Sequence, residues 1–187
     1  MTKADLIIKL DYVNHTREKR GKMSELVLMT PELIPLLLEV AFENNNHISD
    51  KAIWITEYTI KQNVTLLLPH LNIFTKNLNK ITREKGIRPI AKMCEILLLD
   101  YYSKKETLSK KAIKNIHLKR LYTACFDWLI GAHNVAPKAH AMTCLYLLGL
   151  DYEWIHNELK LVLEQNYANG SAAYKARARM VLAKIKV

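Results

Sequence analysis

The sequence predicts an all-α fold of stacked helical hairpins, and three observations predict it. Apolar residues recur at helical spacing along nearly the whole chain, with no sustained two-residue alternation. Similar segments return four times at related spacings. Half of the 187 residues are hydrophobic and a quarter charged, with only 5 Gly and 5 Pro. That composition excludes disordered, collagen-like and low-complexity structure. It fits one domain over residues 1–187, able to bury about 70% of the surface its unfolded chain exposes.

Each element follows from local pattern. Leu6, Leu10 and Val13 form the stripe of a helical cap predicted over residues 1–29. Over residues 30–187 about four repeats follow, each an outer and an inner amphipathic stretch. The outer stretches run Leu33 to Phe42, Leu66 to Leu78, His117 to Ile130 and Trp154 to Tyr167, with Pro35 and Pro69 interrupting the first two. The inner stretches open at Lys51, Arg88, Lys138 and Lys175, spaced 37, 50 and 37 residues apart. Three positions on stand Trp54, Ala91, Ala141 and Ala178; five on, Thr56, Met93, Thr143 and Met180; six on, Glu57, Cys94, Cys144 and Val181. Small side chains at the third position let neighbouring helices approach closely. One amphipathic pair cannot bury its inner faces alone, so neighbours must share a core. The longer middle step reflects an insertion near residues 102–114. Ser171, after the Asn169-Gly170 turn, is predicted to cap the last helix.

These residues resemble the HEAT/armadillo-like α-solenoids, which implies a right-handed α-α superhelix of about four HEAT-like hairpins. More narrowly, the stretches 125–130, 141–149 and 174–179 are similar to a family of small HEAT-like bacterial proteins, best over the C-terminal third. Members of that family often carry the label adenylosuccinate lyase. The lyase superfamily uses a loop of the form G-S-S-x-M-P-x-K-x-N. The segment from Gly170 to Arg177 is similar to it, with Ser171 on one of its serines and Lys175 on its lysine. The Met-Pro pair and the asparagine are missing. A chain of 187 residues is also too short for the long bundle from which three lyase subunits build their sites. Lyase activity is therefore not expected.

The net charge of +10 is concentrated. Residues 76–120 hold 13 basic side chains against four acidic ones, Glu84, Glu95, Asp100 and Glu106. Lys104, Lys105, Lys110, Lys111, Lys114, Lys119 and Arg120 form the candidate binding strip. A helix beginning near Ser109 would carry Lys110, Lys111 and Lys114 in its first turns, where positive charge opposes the helix dipole. A sequence shaped only for stability would put acids there.

A second candidate comes from the first repeat. Trp54 and Glu57 replace residues that are small or apolar in the other copies, and they project to one side of a helix. A carboxylate at an apolar position must be paired or reach water, and Lys61 at the next turn is a candidate partner. Asp127 and Trp128 offer a second acid–tryptophan pair, so these four residues form a candidate pocket. If Glu57 is merely tolerated, Glu57→Ala is expected to be neutral or stabilising.

Other chemistry finds little support. His133 and His140 are separated by Pro137, and His70 and His117 sit on outer-helix patterns. Without a His-Glu-x-x-His motif or a Cys/His cluster, no metal is expected. Cys94 and Cys144 share a repeat position and read as core, as does Cys125 beside Phe126. All five glycines are isolated, leaving no phosphate-binding loop, and no cofactor is expected. Glu39 and Glu43 read as solvated charge. Apolar runs stay short of the ~20 residues that cross a bilayer. Lys3 and Asp5 interrupt any leader, and three scattered cysteines fit a reducing, cytoplasmic setting.

The resulting expectation is a helical-repeat module that docks an acidic protein surface through its basic strip. The alternative is nucleic-acid binding, since certain HEAT-like DNA glycosylases are basic solenoids with tryptophans and a carboxylate in a concave groove. The chain offers Trp54, Trp128 and Trp154 for such a groove. Basic side chains of 76–120 lying in the concave groove with a tryptophan would favour nucleic acid; on the convex edge they would favour protein docking or solubility.

Overall fold

The computed structural model describes residues 1–44 and 47–185, and no strand occurs among them. The end of the fourth predicted repeat, Lys186 and Val187, lies outside the described residues. The cap consists of α1 (Lys3–Asp11) and α2 (Arg17–Met29). Thr2 and Asp5 start α1 with a reciprocal capping box, and Thr16 caps α2. α1 packs on α3 (Ile34–Glu43) and α4 (His47–Gln62), and α2 packs on α4.

Four inner helices then pack in series. α4 lies on α6 (Glu84–Tyr101), α6 on α9 (Val135–Leu148), and α9 on α11 (Ala172–Leu182). Each has an outer partner. α3 covers α4, a 3₁₀ segment at Val64–His70 touches both α4 and α6, α8 (Asn115–Ile130) covers α9, and α10 (Glu153–Tyr167) lies on α9 and α11. One hydrophobic core runs continuously from Leu6 to Val181.

The repeated positions are packing positions at their third and sixth places. Ala91, Ala141 and Ala178 are fully buried, as are Cys94 and Cys144, with Glu57 and Val181 nearly so. The fifth place is less uniform. Thr56 and Met93 are buried, whereas Thr143 is half-buried and Met180 is 57% exposed. Met180 lies on α11, the last helix of the series, whose packing partners are α9 and α10.

The outer layer departs from expectation in two places. The predicted stretch from Leu66 to Leu78 is a broken run, with 3₁₀ turns at Val64–His70 and Leu78–Lys80 flanking the short α5 (Leu71–Lys76). Pro69 inside it can neither donate to the ladder nor avoid the carbonyl four residues back. The insertion forms α7 (Leu108–Ala112), capped by Thr107 and starting next to the expected Ser109, but it runs for only five residues. In so short a helix Lys110 and Lys111 belong to the last turn as well as the first, the Lys110 N–H donating to the Thr107 cap, so their charge meets no sustained dipole. Only Lys114, at the N-cap of α8, opposes one.

Ser171 caps α11 as predicted, accepting from the Tyr174 N–H at 3.2 Å. The tight turn from α9 to α10 depends on Gly149: a Cβ there would meet Cδ2 of the His156 ring at 1.9 Å. That ring is held by stacking on Tyr146 and by its Nε2 against the Tyr146 carbonyl at 2.8 Å.

If small residues set the spacing between inner helices, Ala91→Leu overpacks the α4–α6–α9 core. It is expected to lower stability by about 1–3 kcal/mol. Met180→Leu, on exposed surface, is expected to stay within about 0.5 kcal/mol of the parent. Urea midpoints check both.

Candidate functional site

Carboxylates on the inner helices are tied to the next helix in the series. Asp50 on α4, 2% exposed, accepts two hydrogen bonds from Arg83 at the start of α6, at 3.1 and 2.7 Å. Glu57 accepts from both Nη atoms of Arg88, at 3.3 and 2.9 Å. Glu84 on α6 meets His133 Nδ1 and the Asn134 amide. Glu95, also on α6 and 4% exposed, accepts from Lys92 at 2.6 Å and pairs with His140 of α9 at 2.9 Å. Thr143 of α9 accepts from Arg177 of α11 at 3.1 Å. The expected Glu57–Lys61 partnership is therefore corrected. The cation is Arg88, one helix onward, because the Glu57 side of α4 faces α6.

Burial pushes the Glu95 carboxyl up, but the hydrogen bonds and charges of His140 and Lys92 outweigh it and hold the group at about 2. Glu84 is likewise lowered, the contacts with His133 and Asn134 prevailing over partial burial.

Trp54 borders a hollow of about 390 Å³ with Arg20, Lys85, Arg88, Asn134 and Pro137 among its walls. Its indole N–H donates to the Lys85 carbonyl at 3.2 Å, which fixes the ring. The expected four-residue pocket does not assemble. Trp128 is 3% exposed in the core of α8, and Asp127 is exposed on that helix, accepting from the Asn79 amide at 3.1 Å. Neither lines the Trp54 hollow. Successive residues on a helix point about 100° apart, so an acid–tryptophan dipeptide is divided between surface and core.

The predicted strip lies on α7, α8 and the loop before them. Lys104, Lys105, Lys111, Lys114 and Lys119 are exposed, while Lys110 and Arg120 are half-buried. None forms an ion pair among the described residues. Lys110 stands beside Tyr102 and Asp151, whose own hydrogen bond measures 2.8 Å. Arg120 Nη1 donates to Asn72 Oδ1 at 2.7 Å and to Thr75 Oγ1 at 3.4 Å, which ties α8 to α5. Arg120, Lys119 and Lys76 surround a hollow of about 200 Å³ with Thr75, Asn79 and Thr123. Sequence reasoning missed Lys76 as a partner of the strip, because α5 and α8 meet only across 45 residues of chain.

Lys119, Tyr122 and Phe126 share one face of α8. On Tyr122 and Phe126 rests Trp154 of α10, 46% exposed, stacked on Phe126 at 6.0 Å and edge-on to Tyr122 at 5.2 Å. The basic strip thus adjoins an open aromatic shelf.

Reactive chemistry is not prominent. Cys94, Cys125 and Cys144 lie near one another in the core, unbonded, and burial pushes all three thiols up. Among the described residues no group of three His, Cys, Asp or Glu side chains could hold a metal ion. No described helix is long and apolar enough to cross a membrane. Comparisons with protein-family models, curated proteins and solved structures give no match to this chain.

Two outcomes follow. Arg88→Ala strands the Glu57 carboxylate, whose side chain is only 10% exposed, and is expected to cost about 2–3 kcal/mol. Glu57→Ala leaves a guanidinium that still reaches water and is expected to cost about 1 kcal/mol. Paired denaturation curves check the order. For Glu95, the unfolded chain takes up a proton near 4.5 while the folded site resists until about 2. Its stabilisation is therefore complete above pH 4.5 and is lost as pH falls towards 2. Glu95→Gln is expected to flatten acid unfolding across that window, followed by circular dichroism.

Proposed function

We propose that the chain is a HEAT-like helical-repeat interaction module, a right-handed superhelix that docks an acidic protein surface through Lys104, Lys105, Lys110, Lys111, Lys114, Lys119 and Arg120. It acts as a binding surface, not as a catalyst. The serial packing of α4, α6, α9 and α11, each with an outer partner, supports the repeat reading.

One observation carries the docking reading: the central basic block is divided by its partners. Arg83, Arg88 and Lys92, on or at the start of α6, neutralise Asp50, Glu57 and Glu95. The strip cations have no carboxylate partner among the described residues; five of its lysines are exposed on outer elements, while Lys110 and Arg120 are half-buried and Arg120 is hydrogen-bonded to Asn72 and Thr75. A patch of one sign raises the encounter rate with an oppositely charged surface and weakens as salt is added. Exposed Leu108 and Ile116, at 59% and 49%, interrupt the lysines and supply apolar contact once the surfaces meet.

Nucleic acid is the weaker reading. Around Trp54, Arg88 is held by Glu57 and Glu84 borders the same hollow, which leaves Arg20 and Lys85 as its cations without an ion pair among the described residues, fewer than the strip carries. The test reverses the strip with Lys104→Glu, Lys105→Glu, Lys111→Glu and Lys114→Glu together. Proximity crosslinking from strip positions in the source cell is expected to recover acidic proteins with the parent and to lose them with the reversed chain. Duplex DNA is expected not to bind at about 50 mM salt, where phosphate contacts are strong. Tight DNA binding there, or crosslinks unchanged by reversal, would contradict the reading.

A further inference from the structure

The hollow between α5 and α8 has a chemistry that general attraction between charged surfaces does not require. Its cations are Lys76, Lys119 and Arg120, which converge from two segments of the chain, and its other walls are Thr75, Asn79 and Thr123. Among the described residues no carboxylate lines it; Asp127, the acceptor of the Asn79 amide, stands next to that wall. Arg120 is the fixed member: Asn72 and Thr75 hold its Nη1, while Nε and Nη2 have no partner among the described residues. With Nη1 held, the Nε–Nη2 edge of the planar fork keeps two donors for the oxygens of an oxyanion.

Lys76 and Lys119 are exposed and unpaired, so their ammonium groups can close on the same anion. Three positive charges around one small hollow exceed what a single carboxylate would neutralise. They suit the charge of a phosphate monoester, between one and two at neutral pH. The hollow, about 200 Å³ and open to solvent, has room for a phosphate and the stem that carries it.

We propose that this hollow receives a phosphorylated serine or threonine of the docking partner, with an apolar neighbour of that residue resting on the shelf made by Trp154, Tyr122 and Phe126. The inference rests on the docking reading above and adds the anchoring group. A phosphate diester chain is the disfavoured occupant, because each of its phosphates brings one charge against the three cations that line the hollow.

Fluorescence polarisation tests it with three labelled probes. These are a degenerate nonapeptide pool centred on phosphoserine, the same pool centred on glutamate, and a twelve-residue oligothymidylate. The phosphoserine pool is expected to bind at least tenfold tighter than the other two. Lys76→Ala and Lys119→Ala, both exposed, are expected to weaken it several-fold each with helicity unchanged. Arg120→Lys, which keeps the charge but loses the fork, is expected to weaken it further. Equal binding of the glutamate pool would overturn the phosphate anchor while leaving acidic docking intact. Preference for oligothymidylate would overturn both readings. Absence of binding by any probe at 100 µM would overturn the anchor, and the crosslinking experiment then decides the docking reading separately.

Discussion

Carboxylates enclosed between neighbouring inner helices constrain the rest of this molecule. Asp50, Glu57 and Glu95 are each less than a tenth exposed, and an unpaired charge in such a place would cost several kcal/mol or force protonation. Each is answered by a cation on or beside α6, or by a histidine of α9. Such pairs add little net stability over an apolar contact, but they penalise a wrong register between helices whose remaining contacts are non-directional. Ala91, Ala141 and Ala178 let the helices come close; the ion pairs then fix which turn faces which.

That arrangement also explains where the free charge lies. With Arg83, Arg88 and Lys92 committed, most of the remaining basic block sits on the outer elements, from α5 and the turn after it to α7, α8 and the segment before α7, Lys85 on α6 being the exception. Those elements differ in rigidity. α8 is a full-length helix packed along α9 and tied to α5 through Arg120, so Lys119 and Arg120 are carried on a firm support. α7 has five residues and one hydroxyl cap, and Lys104 and Lys105 precede it in irregular chain. A surface of this kind combines a fixed anchor with an adaptable flank, and only the anchor has geometry enough to discriminate between ligands.

Much of the architecture was legible in the residues, for physical reasons that also mark where legibility ended. Helical periodicity reports burial directly, so the inner helices and their small third positions could be read from spacing. Residues such as Cys94 and Cys144 matched because equivalent places in one shared core demand similar volumes. Pro69 signalled an interruption, but not that the whole outer stretch would break into 3₁₀ turns around a six-residue helix. The Glu57 partner was missed because Lys61 is near in sequence while Arg88 is near in space, a matter of how one repeat sits on the next. Asp127 and Trp128 misled in the opposite way: adjacency along a helix separates side chains. Lys110 and Lys111 were placed in the first turns of a longer helix, whereas α7 ends after five residues, so they stand in its last turn too. The hollow around Arg120 needed the α5–α8 contact, which no local pattern encodes.

The central claim is that ion pairs hold Arg83, Arg88 and Lys92 at the inner helices while the strip lysines on the outer elements carry none among the described residues. Timed labelling of lysine amines in the native protein, followed by peptide mass spectrometry, tests this most directly. Lys104, Lys105, Lys111, Lys114 and Lys119 should react several times faster than Lys51 and Lys92, which are held by Asp11 and Glu95. Labelling at one uniform rate across all seven would contradict the account.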